Sequence, residues 1–210
     1  MTALTEYTSY EDSQSEFSIK GLWQLLDGDK QQLNIAYEAV DRHAHQNKIA
    51  IHVAHSDGRD EPISFHDLSS KSSQLANWLC SLGVKTGDRV GVMVDPSLAF
   101  YAAMFGIIKS GAVAVPMFTL FGIDSLRARV DDSGLKILVV SREKNDIAQS
   151  LNDIHVVVAD DIFLSKLQNF SKTFETNTTP SDYAIYQYTS GTTRALPTAV
   201  KHTHVSVVYL

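Results

Sequence analysis

A chain of 210 residues, 44% hydrophobic and 20% charged, is long enough to bury a sizeable core as one large domain or two small ones, and its composition is ordinary for a soluble globular protein. A net charge of −6 with scattered basic residues excludes an electrostatic binder of nucleic acid, and the single cysteine, Cys80, excludes an intrachain disulfide. The most apolar window, residues 90–118, is broken by Asp95, Pro96, Lys109 and Gly111, so no run reaches the roughly 20 residues of a membrane span; with no signal-peptide pattern at the N-terminus, the expected location is the cytoplasm.

Residues 1–20 are polar and aperiodic. They predict a mobile tail that Trp23, Leu25 and Leu26 could dock, and we take residues 1–30 as tail and 31–210 as one domain. Leu33, Ile35, Ala36, Ala39 and Val40 predict a helix to about residue 45. His43 and His45 lie two apart, which does not put them on one helical face, so they make no metal pair. Residues 48–55 alternate as a strand, 56–60 are turn chemistry, and 62–65 return as the second strand of a hairpin. Ser64 or Asp67 caps a helix over 68–82 that Gly83 ends. Cys80 sits in its apolar pattern and is expected to be buried and inert.

Residues 89–94 form a nearly continuous apolar strand, as a buried parallel strand requires. An almost wholly apolar helix (97–109), a strand (112–117), a loop (118–122), a helix (123–130) and a strand (136–141) follow. After a polar linker (142–152) come a strand (154–159), a short helix (160–170) and a loop (171–181). This alternation predicts an α/β fold with a mostly parallel sheet and flanking helices. Asp131 and Asp132 read as a solvated helix end rather than a metal pair, and no histidine spacing suggests a metal site.

The stretch that organises the chain follows. An apolar, aromatic strand (184–188) runs out into Thr189, Ser190, Gly191, Thr192 and Thr193. Glycine lets backbone N–H groups approach an oxyanion, and hydroxyls add donors at little entropic cost, so such a loop suits phosphate. Arg194 and Lys201 can supply positive charge to a polyphosphate. Loops in general are rich in the same residues, so the five alone carry the reading no further.

Five segments in order give the chain a family resemblance: NIAYEAVDRHA, ISFHDLSSKSSQLANWLCSLGVKTGDRVGVMV, AAMFGIIKSGAVAVPM, SLRARVDDSGLKILVV and SDYAIYQYTSGTT. From about Asn34 onward the chain resembles the N-terminal part of the adenylate-forming enzymes, the AMP-binding acyl-CoA synthetases and ligases. The first segment and FGIDSLRARVDDSG are most similar to the branch that activates acetate and other short- to medium-chain acids. The resemblance implies the N-terminal portion of that family's large domain, incomplete here. It implies an enzyme that activates a carboxylic acid with ATP, releases pyrophosphate and passes the acyl group to coenzyme A. It places the ATP phosphates, with magnesium, on Thr189, Ser190, Gly191, Thr192 and Thr193. It places His204 beside the acyl pocket, with Thr203 as a helix N-cap.

The chain departs from the family pattern in two ways. Where the family continues with Gly and then Pro-Lys-Gly, this chain has Arg194-Ala195-Leu196-Pro197-Thr198-Ala199, so Arg194 replaces a glycine and Thr198 stands at the lysine position. The chain also ends at Leu210, inside the helix expected after His204, without the family's magnesium-holding Glu, ribose-binding Asp or lid Lys. An N-terminal ligase fragment is therefore expected. The competing readings are a catalytically inactive truncated relic or nucleotide-binding module, and an adenylation unit serving a carrier protein.

Overall fold

The structure, a computed structural model, describes residues 8–189 and 198–209. From Ser9 onward the polar N-terminal stretch holds two short helices, α1 (Tyr10–Glu16) and α2 (Ile19–Trp23). Each is started by a serine whose hydroxyl accepts a backbone N–H, Ser9 from Asp12 and Ser18 from Gly21. Apolar periodicity could not reveal α1, because it buries nothing. Trp23 does dock, its indole N–H donating to the Tyr209 hydroxyl at 2.8 Å.

Asn34 starts α3 (Ile35–Ala39) by accepting from the Ala36 and Tyr37 amides. The helix stops well short of residue 45 and passes into a 3-10 turn at Asp41–His43. The hairpin is formed by β1 (Ile49–Ala54) and β2 (Asp60–Ser64), antiparallel and separate from the main sheet. Ser64 then caps α4 (Phe65–Ser81), and Gly83, at φ +84°, follows its end in the left-handed conformation that glycine adopts freely. Cys80 is exposed, not buried. The buried stripe of α4 runs through Leu68, Leu75 and Leu79, and Cys80 lies about 100° round the helix from Leu79.

Next come β3 (Arg89–Met93), α5 (Leu98–Lys109), β4 (Val113–Pro116), α6 (Ile123–Ser133) and β5 (Ile137–Val140). The stretch read as a polar linker contains a 3-10 turn and α7 (Asn145–Gln149). Then follow β6 (His155–Val158), α8 (Asp161–Leu167), β7 (Tyr183–Gln187), β8 (Val200–Thr203) and α9 (His204–Val208). The six-stranded sheet has the order β6-β5-β3-β4-β7-β8 and is parallel except where β8 runs back along β7. Successive side chains on each strand point to opposite faces, and both faces are covered. Leu75 and Leu79 of α4, Ile107 of α5 and Leu167 of α8 meet Val90, Val92 and Val139 on one side. Leu126 and Val130 of α6 and Ala148 of α7 meet Met93, Leu138 and Val140 on the other. Helices α4 and α5 approach closely at Gly106, where a Cβ would lie 2.7 Å from the Ser72 carbonyl oxygen. Among the described residues no helix is long and apolar enough to cross a membrane.

Two polar joints hold the first half of the chain to the second. Lys109, fully buried at the end of α5, donates to Asp41 Oδ1 at 2.6 Å, the Ser69 carbonyl at 3.0 Å and Ser73 Oγ at 3.0 Å. Three N–H donors thus meet three acceptors. Burial pushes the Lys109 pKa down, opposed by the Asp41 charge. The second joint is His204, also fully buried, whose Nδ1 accepts the Ile35 amide of α3 at 3.1 Å. That bond puts the ring proton on Nε2. Burial lowers the His204 pKa from 6.5 to about 4, against the attraction of Asp182.

Two outcomes are expected. Lys109→Ala strands buried acceptors and should cost about 3 kcal/mol in urea unfolding, with Lys109→Met, which keeps the stem volume, costing less. For His204 the unfolded ring takes up a proton near pH 6.5 that the folded ring refuses until about pH 4. Its stabilisation is complete above pH 6.5 and lost as the pH falls to about 4, on the order of 3 kcal/mol. Thermal midpoints between pH 4 and 7 should fall more steeply in the parent chain than in His204→Asn.

Candidate functional site

The sheet changes direction at β3 and β4. The chain passes from β3 to its neighbour β4, then crosses back to place β5 on the far side of β3. Helices α5 and α6, which leave these two strands, cover opposite faces. In open parallel sheets such a point leaves a crevice beyond the carboxyl ends of the strands, where ligands lie. A cleft of about 330 Å³ sits there, bounded by Asp95 and Phe100 after β3, Met117, Phe118 and Phe121 after β4, and Tyr188 after β7. The Thr119 hydroxyl donates to Asp95 Oδ1 at 2.7 Å and so joins the first two loops. Phe118 is 60% exposed, which leaves an aromatic lip on the cleft.

Strand β7 delivers the hydroxyl-rich segment to this place. Gln187 and Tyr188 line the cleft, and the exposed Thr189 follows them at its rim. Ser190, Gly191, Thr192, Thr193 and Arg194 lie outside the described residues. The chain is described again from Thr198 and enters β8, whose pairing with β7 includes Gln187 with Val200 and Tyr186 with Lys201. Lys201 is exposed, with its ammonium 5.0 Å from the centre of the Tyr186 ring, and among the described residues it has no carboxylate partner. His204 does not line the cleft; it sits in the joint between α3 and α9. Its Nε2 is buried without a hydrogen-bond partner among the described residues. Thr203 is the N-cap of α9, its hydroxyl accepting the Ser206 amide at 3.2 Å.

Three residues at the site were not picked out from the sequence as site residues. Tyr188 is buried, and its hydroxyl donates to Asp132 Oδ2 at 2.6 Å. Burial, then the bond to Asp132, raises the Tyr188 pKa, so its phenol keeps the proton it donates. The Arg129 guanidinium lies 3.9 Å over the Phe121 ring and 5.5 Å from that of Tyr188. Asp132, read as a solvated helix end, is exposed as expected, yet its carboxylate is engaged by the chain on both sides of the segment. The available signal was an acid in a last helical turn that carries no base.

A larger cleft, about 520 Å³, lies between residues 27–38 and 173–176, away from the strand ends. Its buried carboxylate is already engaged: Glu38 accepts from the Asp27 and Gly28 amides and from Arg42. Among the described residues no group of three or more His, Cys, Asp or Glu is placed to hold a metal ion.

Comparison with known proteins agrees with this fold. The family model described as AMP-binding enzyme matches residues 38–210. The acetyl-coenzyme A synthetase of Bacillus subtilis (strain 168) is 31% identical over 193 residues, which cover 84% of this chain and 33% of that protein. The chain thus spans about a third of that relative's length. The crystal structure of Brucella canis acyl-CoA synthetase superposes with a TM-score of 0.85 at 23% identity, over 97% of this chain and 39% of that one. ATP-bound MatB from Rhodopseudomonas palustris superposes with a TM-score of 0.69 at 21% identity, over 81% of this chain and 35% of that one. The chain belongs to the family of AMP-binding, adenylate-forming enzymes.

Proposed function

We propose that these residues are the N-terminal part of a cytoplasmic, ATP-dependent synthetase that activates a short- or medium-chain carboxylic acid and transfers it to coenzyme A. Residues 31–210 act as one domain and residues 1–30 as an appended tail. The observation that carries the reading is the exit of the hydroxyl-rich segment from the carboxyl end of a parallel strand, at the rim of the switch-point cleft. A substrate carboxylate oxygen forms a bond to the α-phosphorus of ATP, and the bond to the β-phosphate oxygen breaks, so pyrophosphate leaves with its electron pair. The coenzyme A sulfur then attacks the acyl carbon and AMP departs.

In this reading Thr189, Ser190, Gly191, Thr192 and Thr193 donate to the phosphates, and Arg194 and Lys201 offset their charge. The ammonium of Lys201, which meets no carboxylate among the described residues, fits that role, and magnesium would neutralise the same phosphates. The resemblance assigns His204 to the acyl side, but its ring lies buried in the joint between α3 and α9 and outside the cleft, so in this reading it supports the site by holding the start of α9 against α3. A second reading, a nucleotide-binding module without turnover, draws on Thr198 at the family's lysine position.

Calorimetric titration of the 210-residue chain with magnesium-ATP tests both readings. Binding is expected, and Arg194→Ala should weaken it about tenfold, the weight of one charged hydrogen bond. Incubation with ATP, labelled pyrophosphate and acetate-to-hexanoate substrates should give no exchange and no acyl-CoA from these residues alone. Absence of ATP binding to the parent chain would refute both readings, and measurable exchange would refute the second.

A further inference from the structure

The last turn of α6 carries Asp131 and Asp132 and no base. Helix C-termini already present unpaired carbonyls with partial negative charge, so helix stability gives no reason for Asp132. Its contacts do. Asp132 Oδ2 accepts the Tyr188 hydroxyl at 2.6 Å and the Ala199 backbone N–H at 3.3 Å. Those two residues flank the hydroxyl-rich segment. In the antiparallel pairing of β7 with β8, Gln187 stands opposite Val200, so Tyr188 and Ala199 would be the next pair outward. The ladder stops before them, and a side chain from a third element bridges them instead.

The same turn of α6 grips Tyr188 elsewhere. The Tyr188 hydroxyl also reaches the Arg129 carbonyl at 3.2 Å, and the Arg129 guanidinium lies over the Tyr188 and Phe121 rings. Tyr188 and Phe121 both line the switch-point cleft. One helix end therefore holds a wall of the cleft and both ends of the segment beside it.

We propose that Asp132 is a positioning residue for the nucleotide segment: its carboxylate ties Tyr188 to Ala199 beyond the last ladder pair, and fastens both to α6. The residues that flank the segment, Tyr188 at the cleft and Ala199 in the core beside it, are thereby held to one helix end. This rests on the reading of that segment as the phosphate-binding one. Asp132 touches no reacting atom. It is exposed, so solvent screens its contribution to global stability, and its effect lies in geometry.

The test uses the 210-residue chain with Asp132→Ala, Asp132→Asn, Tyr188→Phe and the Asp132→Ala/Tyr188→Phe double variant. Hydrogen exchange at the Ala199 amide and the Kd for magnesium-ATP are measured on each, beside the thermal midpoint. Asp132→Ala should speed Ala199 exchange about tenfold and raise the Kd about tenfold, with the midpoint nearly unchanged. Asp132→Asn, which keeps an acceptor oxygen, should restore part of the Ala199 protection. Tyr188→Phe should weaken nucleotide binding, and the double variant should bind no worse than Asp132→Ala, because the two act through one contact. Unchanged Ala199 exchange in Asp132→Ala, or fully additive losses in the double variant, overturns the proposal. If the parent chain binds no magnesium-ATP, the phosphate reading fails, and Ala199 exchange alone decides whether Asp132 ties the two ends.

Discussion

A strand that is hydrogen-bonded on both edges and covered on both faces has nowhere to shift, and β3 is such a strand. Its residues pair with β4 on one side and β5 on the other, while Val92 and Met93 point into the two opposite cores. A slip of one residue would exchange its faces, and a slip of two would break both ladders. The carboxyl end of β3 is therefore fixed, and with it the mouth of the crevice shared with β4. The cleft forms because the next connections leave in opposite senses around a strand that stays in place.

Much of this was legible in the sequence because burial on two faces writes a distinctive text. The runs at 89–94, 112–117 and 136–141 are short and almost continuously apolar, and they form three of the sheet's four interior strands. Ser64 and Gly83 mark the ends of α4 as local capping chemistry predicts. Strand β8 was not legible. Its sequence, VKHT, has no alternation of its own, and it is a strand because β7 offers an edge to pair with. The helices α1 and α2 escaped notice for a related reason: serine hydroxyls start them and little apolar surface recommends them.

At the site the division is sharper. That a glycine- and hydroxyl-rich stretch follows the strand now seen as β7 could be read from local pattern alone. The surroundings of that stretch could not. Asp132 and Tyr188 are 56 residues apart in the chain, and only the folded sheet brings them within bonding distance. His204 shows the same limit. Thr203 announces the start of a helix by its type, whereas the burial of the next residue, and its bond to Ile35 169 residues earlier, belong to tertiary structure.

The ammonium of Lys109 has one more consequence. Its carboxylate partner lies before the exposed hairpin turn around Gly58, and the ammonium itself lies after that turn. A chain opened at that turn would yield two pieces, each owning half of an ion pair that belongs in a dry interior. Neither piece can shelter its charge alone without a heavy solvation penalty. The joint therefore acts as a checksum on the covalent chain, rewarding assembly of both pieces together and penalising either one that tries to fold by itself.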